Sequence, residues 1–233
     1  MHRETSLAQL RAATEAFTRD TGTGSSPVST AQSAGLRLIG NVAEIATRLP
    51  DTHGNEHDCW YNVETGRVWK VTRGVHALYG VSANAAAYLR RWLHSNEFFE
   101  DDIRLEGILP DGRFVISQPF VLGEAPTTLE LHQSLHQKGW VQYRNAGTVW
   151  SSQDGRILMS EVHNGNFIKQ PDDTISAIDV ALHSREEWDS QLEPDEFIEA
   201  FGAGHRPQTL SELLRQANGD LSQFGFTARK AVA

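Results

Sequence analysis

A single cysteine, Cys59, in 233 residues rules out an internal disulfide framework and suits a reducing compartment. Basic charge is scarce as well, since 21 Lys and Arg against 30 Asp and Glu leave a formal charge of -9. An acidic surface repels phosphate backbones, so general nucleic-acid binding is not expected, although a local basic groove stays open. No apolar run approaches the roughly 20 residues of a membrane span, and the start Met1-His2-Arg3-Glu4-Thr5 has no apolar signal core. A soluble cytoplasmic protein with no membrane partner is expected. Familiar catalytic signatures are missing too. Without a G-x-x-x-x-G-K-[ST] loop the chain is no P-loop NTPase, without G-x-S-x-G it has no nucleophile elbow, and Cys59 lacks any nucleophile signature.

What is present is a globular composition, 39% hydrophobic and 22% charged, enough for one sizeable domain or two small lobes. Ser6 with Gln9 makes a capping-box pattern, and Leu7, Leu10, Thr14 and Phe17 predict a short first helix. Asp20–Gly35 is rich in Ser, Thr and Gly and reads as a linker, which makes that helix an appendage or a docking piece. Strands follow at His57–Asn62 and Arg67–Thr72 around a Glu64-Thr65-Gly66 turn, after a Gly-containing loop at Asp51–Glu56. Alternation puts Val68, Lys70 and Thr72 on one face, so Lys70 either snorkels at an edge or points into a cleft.

Ala83–Leu93 predicts a helix presenting Tyr88, Leu89, Trp92 and Leu93 to a core. Asp101–Val121 predicts a hairpin about Pro110-Asp111-Gly112, Gly123–Pro126 a connector, and Thr128–Lys138 a helix stopped by Gly139. Short strands then alternate with turns at Trp140–Tyr143, Thr148–Ser151, Ile157–Ser160, Phe167-Ile168 and Ile175–Val180. Helices are expected at Glu186–Gln191, Pro194–Phe201 and Leu210–Ala217, with no internal repeat. The order describes an α+β protein: residues 1–35 as helix and linker, 36–122 as a first lobe, 123–233 as a second.

The sharpest chemistry lies in Glu161-Val162-His163-Asn164-Gly165-Asn166, followed by Ile178-Asp179. A carboxylate and an amide on one tight loop, with a second carboxylate brought up by a hairpin, can hold one or two Mg²⁺ ions. The first acid is then free to orient or deprotonate a hydroxyl, with Lys70 neutralising phosphates. Competing readings are weaker. His53, His57 and Cys59 offer zinc-type ligands but no fourth at a structural spacing, and His132 and His136 enclose Gln133 where a metalloprotease helix needs glutamate. The six tryptophans are scattered as core anchors, and the acidic run Glu186–Glu199 reads as a solvated helix face.

Ser160–Asn166 with Ile178-Asp179 resembles the D-x-H-x-x-N … D arrangement of aminoglycoside-phosphotransferase-like and other atypical kinases. The upstream half is similar to the serine/threonine/tyrosine-kinase-like domains of bacterial and phage polyvalent proteins, through Gly54–His57, Arg67–Thr72, Tyr88–Arg91, Asp101–Gly107 and Ser117–Phe120. The resemblance implies a two-lobed kinase-like fold, with a five-stranded antiparallel N-lobe and a reduced C-lobe. It implies ATP and Mg²⁺ as cofactors and an ATP-dependent transfer to a protein hydroxyl or a small-molecule acceptor.

Carried onto this chain, the resemblance gives Lys70 the nucleotide phosphates and lays Gly54, Glu56 and His57 over the nucleotide. Gln118 and Phe120 fall in the segment that meets adenine through backbone groups, Asn166 and Asp179 ligate Mg²⁺, and Glu161 takes the catalytic acid's place beside His163. Two departures stand out: Glu161 replaces the family's aspartate, and the helix Ala83–Leu93 has no acid for Lys70, leaving Glu56 or Glu97 as substitutes. A nucleotide-binding interaction module without turnover, and a nucleotidyl transferase, are the alternatives.

Overall fold

The computed structural model describes residues 2–20, 25–46, 50–53, 56–73, 82, 84–143 and 149–191. Gly54, the side chain of His53, and the helices expected at Pro194–Phe201 and Leu210–Ala217 lie outside them.

The chain opens with α1 (His2–Asp20) and α2 (Pro27–Ser33). The second helix corrects the expected linker. Ser26 caps it by accepting from Ser29 N, and Pro27 supplies a preset first turn, a start signal hidden within a Ser/Thr-rich stretch. Of the two readings of α1, the structure favours the docking piece over the appendage. Leu10, Ala13 and Phe17 are buried in one cluster with Ala31, Tyr88, Leu89, Trp92 and Phe114, and Phe17 meets Phe114 edge-on at 5.4 Å. α1 and α2 therefore share a core with the segment that follows.

β1 (Thr52–His53), β2 (His57–Asn62), β3 (Arg67–Thr72), β4 (Arg104–Ile108) and β5 (Phe114–Pro119) form one antiparallel sheet in the order β1-β2-β3-β5-β4. The two-residue β1 lies where a plain loop was expected. Between β3 and β4 runs α3 (Ala85–Phe99), capped by the Asn84 side chain and ending at Glu100 in the left-handed region, φ 59. It outruns the expected helix because its last turns bury polar side chains with partners. Asn96 gives and takes a hydrogen bond with the Ile103 backbone at 2.8 and 2.7 Å.

Gly123 carries the chain from this sheet to the rest of the protein. A Cβ there would run into the Lys169 carbonyl, and only glycine allows that approach. Next to it, Glu124 and Lys169 exchange backbone hydrogen bonds at 3.1 and 2.7 Å.

The second half holds α4 (Thr128–Gln137), started by a full Thr127/Glu130 capping box. Then come β6 (Trp140–Gln142), β7 (Trp150–Ser152), β8 (Ile157–Ser160), β9 (Phe167–Lys169), β10 (Ile175–Ala177), β11 (Ala181–Ser184) and α5 (Arg185–Gln191). The antiparallel order β11-β8-β7-β6 makes a second sheet, and β9 with β10 a separate hairpin. β11 was not expected, and the strand read as Ile175–Val180 stops at Ala177. A 3-10 turn at Asn164–Asn166 links β8 to β9. Phe99 stacks on Trp140 at 5.7 Å, so α3 also packs against the buried cluster of the second sheet.

The architecture is α+β with antiparallel sheets. Among the described residues, no helix is long and apolar enough to cross a membrane.

Candidate functional site

A cavity of about 390 Å³ opens between the five-stranded sheet and the β9–β10 hairpin. Strands β2, β3 and β5 line one side with His57, Val68, Lys70 and Gln118; Asn166, Ile168 and Asp179 line the other. Register sets up the first wall. Cys59 pairs with Lys70 and Lys70 with Ile116, while Tyr61 pairs with Val68 and Val68 with Gln118. Val68 and Lys70 thus share a face one strand repeat apart, which separates an apolar stretch from a charged one.

Lys70 is only 6% exposed, so it points into the cleft as its place in the alternation allowed. Its Nζ donates to the Ile178 carbonyl at 2.9 Å and lies 3.6 Å from Asp179 Oδ1. Burial alone would raise the Asp179 carboxyl, but Lys70, Arg91 and His57 outweigh it and hold the group below the ordinary aspartate range. Asn166 is tied to the same bend: its backbone carbonyl accepts from Ile178 N at 2.9 Å.

Arg91, which the sequence reading passed over, organises the charged end. It is 1% exposed, donates to Glu56 Oε2 at 2.6 Å, to Asp179 Oδ1 at 3.2 Å and to the Val180 carbonyl at 2.8 Å, and lies 4.6 Å from the Trp92 ring centre. A signal existed. Arg91 falls three residues after Tyr88 and four before Ser95, on the stripe that α3 buries. The helix thus offers a cation, Arg91, to Asp179. Neither acid proposed as a partner for Lys70 plays that part as expected: Glu56 bonds Arg91, and Glu97 pairs with Arg11 and His94.

The other expected site residues divide. Glu56, His57, Gln118, Phe120, Asn166 and Asp179 all line the cavity with Lys70. Glu161 and His163 do not, and both are exposed. Glu161 adopts a left-handed backbone, φ 59, and its carbonyl accepts from Asn166 Nδ2 at 2.9 Å. Although exposed, its carboxyl loses enough water to titrate above the ordinary glutamate value; Glu56 and Asp179 add to the shift and Arg91 opposes it.

Two sets of groups compete as a cation site. Glu56, His57 and Asp179 offer ligand atoms within 4.8 Å of one another. Arg91 already bonds both carboxylates, however, so a dication there would face a guanidinium. Asn166 and Asp179 both line the cavity, and each offers a hard oxygen of the kind Mg²⁺ takes. With Nδ2 committed to Glu161, Asn166 Oδ1 has no partner among the described residues, and neither has Asp179 Oδ2. Two hard oxygens are a usual protein share for that ion.

His57 is 2% exposed and shares a hydrogen bond with Tyr88 through Nε2 at 3.0 Å. Burial, helped by Lys70 and Arg91 and opposed by Asp179, lowers its pKa to about 3. Burial also takes His183 down to about 4. The folded protein therefore resists protonation that the unfolded chain accepts near pH 6.5, and stability falls as pH drops below that value. Urea unfolding is expected to show a loss of about 2–4 kcal/mol between pH 7 and pH 5 from these two rings. An unchanged midpoint would contradict both assignments.

The chain matches no protein-family model, no curated protein and no solved structure.

Proposed function

We propose that the protein is an ATP- and Mg²⁺-dependent phosphotransferase of kinase-like, two-lobed architecture. The observation that carries this reading is the meeting of Lys70 from β3 with the Ile178-Asp179 bend, 108 positions further along for the Ile178 bond, in a cavity that also takes in Asn166. The sheet order β1-β2-β3-β5-β4, with α3 inserted after β3 and a cavity against the following segment, supports the two-lobed form. The cavity volume suits a purine nucleoside, and its charged end suits phosphates.

In this reading Lys70 neutralises phosphate charge, while Asn166 and Asp179 hold the metal. A Mg²⁺ ion held by these two residues would supply further neutralisation of the phosphate charge. Glu161, with its raised pKa, orients or accepts the proton of the acceptor hydroxyl at the rim. Catalysis then consists of positioning and charge neutralisation.

A second reading, nucleotide binding without turnover, is favoured by one observation. Asp179 Oδ1 is held by two cations, Lys70 and Arg91, and among the described residues no helical acid holds Lys70 in turn. Incubation with Mg²⁺ and ATP labelled at the γ or, separately, the α phosphate tests both. Label from γ on the protein, on a generic protein acceptor or as free phosphate is expected, and should vanish in Asp179→Ala. Label from α would indicate nucleotidyl transfer. Thermal stabilisation by Mg-ATP without transfer would favour the second reading. With neither effect, the nucleotide reading is lost.

A further inference from the structure

Near the end of β5 one polar group is left unanswered. Gln118 is 6% exposed and lines the cavity, yet its Oε1 is closed off from solvent and has no hydrogen-bond partner among the described residues. The neighbouring residue is unlike it. Ser117 Oγ accepts from Arg67 Nε at 2.8 Å and donates to Glu106 Oε1 at 2.5 Å, so the opposite face of β5 is fully paired. On the cavity face Gln118 stands beside Val68, and Tyr61 packs on Phe120 with ring centres 4.6 Å apart. Apolar walls surround a buried carbonyl that has no donor, which is costly in a folded protein and rare without a reason.

We propose that Gln118 is the side chain that selects the base of the bound nucleotide, its carboxamide pairing with the exocyclic amine and an adjacent ring nitrogen of a 6-aminopurine. The inference rests on the nucleotide reading above and adds to it that a side chain, not only backbone, recognises the base. The occupant must bring an N–H donor to Oε1 and a flat apolar body to Val68, Tyr61 and Phe120. A glutamine carboxamide meets adenine in just this two-point way, amine to carbonyl and ring nitrogen to amide. The last torsion of glutamine is soft, so the group turns toward a ligand at little cost. Lys70, one strand repeat from Val68, stands about 7 Å along the same face, on the side where the phosphates of such a ligand would lie.

The test compares binding of Mg²⁺ with ATP and with purine riboside triphosphate, which carries hydrogen in place of the 6-amino group, by isothermal titration. The wild-type protein is expected to bind ATP about 10–100-fold more tightly, because the analogue leaves Oε1 unpaired. Gln118→Met, similar in shape and without the amide, should reduce that ratio to within about 2-fold. Without nucleotide, the same variant should melt about 2–4 °C higher, since a buried unpaired carbonyl is gone. Equal binding of the two nucleotides by the wild type, with both lost in Lys70→Met, would overturn the role of Gln118 and leave the nucleotide reading standing. No binding of either would overturn both. A Gln118→Met protein that melts lower or fails to fold would show that the carbonyl is already satisfied, and the proposal would fall.

Discussion

Arg91→Met is expected to lower the unfolding free energy by about 3–5 kcal/mol, seen as a fall in melting temperature of about 6–20 °C. Removing the guanidinium takes three hydrogen bonds away at once, to Glu56, Asp179 and the Val180 carbonyl. It also leaves Glu56 without its closest cation in a place that water hardly reaches. Methionine fills the volume beside Trp92 but restores none of the charge. Arg91→Lys should fall between the two, because one ammonium cannot serve all three acceptors in the geometry of a planar fork. A melting temperature unchanged in Arg91→Met would mean that the cluster is held by something other than this residue.

The second large effect concerns activity. Lys70→Met is expected to reduce γ-phosphate transfer by about 10²–10³-fold, the usual scale for losing one preorganised electrostatic partner of the reacting group. Its stability cost should be smaller than that of Arg91→Met. Lys70 makes one hydrogen bond and a 3.6 Å ion pair, and Asp179 keeps Arg91 after the change. The two variants thus separate a structural cation from a functional one. Melting curves and transfer rates on both proteins make the comparison, and full transfer by Lys70→Met would remove Lys70 from the reaction.

Several elements could be read directly from the chain. β2, β3 and β8 have the bounds that alternation and turn residues give them, since side-chain direction in a strand is a local property. The anomaly at Lys70 was legible for the same reason: a lysine on the apolar side of a strand is visible without knowing what it faces. The Asn166 and Asp179 pair could be named as candidates, because oxygen ligands on a tight loop and a hairpin end are a local pattern too.

Other features left too faint a local trace. α2 hid in a composition that resembles a linker, and its packing against α1 and β4 helps seven residues hold as a helix. β11 follows the Asp179 bend because β8 offers it a free edge, a partner more than 20 residues away in sequence.

The chain by itself determined an α+β protein and marked a lysine, an amide and an acid as candidates for one site. Only the tertiary structure decided that they meet, that Arg91 is the cation of α3 that binds the acid, and that Gln118 is left unpaired on the cavity wall. The reason is physical. Strand direction and turns are settled by neighbours along the chain, whereas the state of a buried charge or amide depends on partners brought from far away, 35 positions for Glu56 and 88 for Asp179 around Arg91.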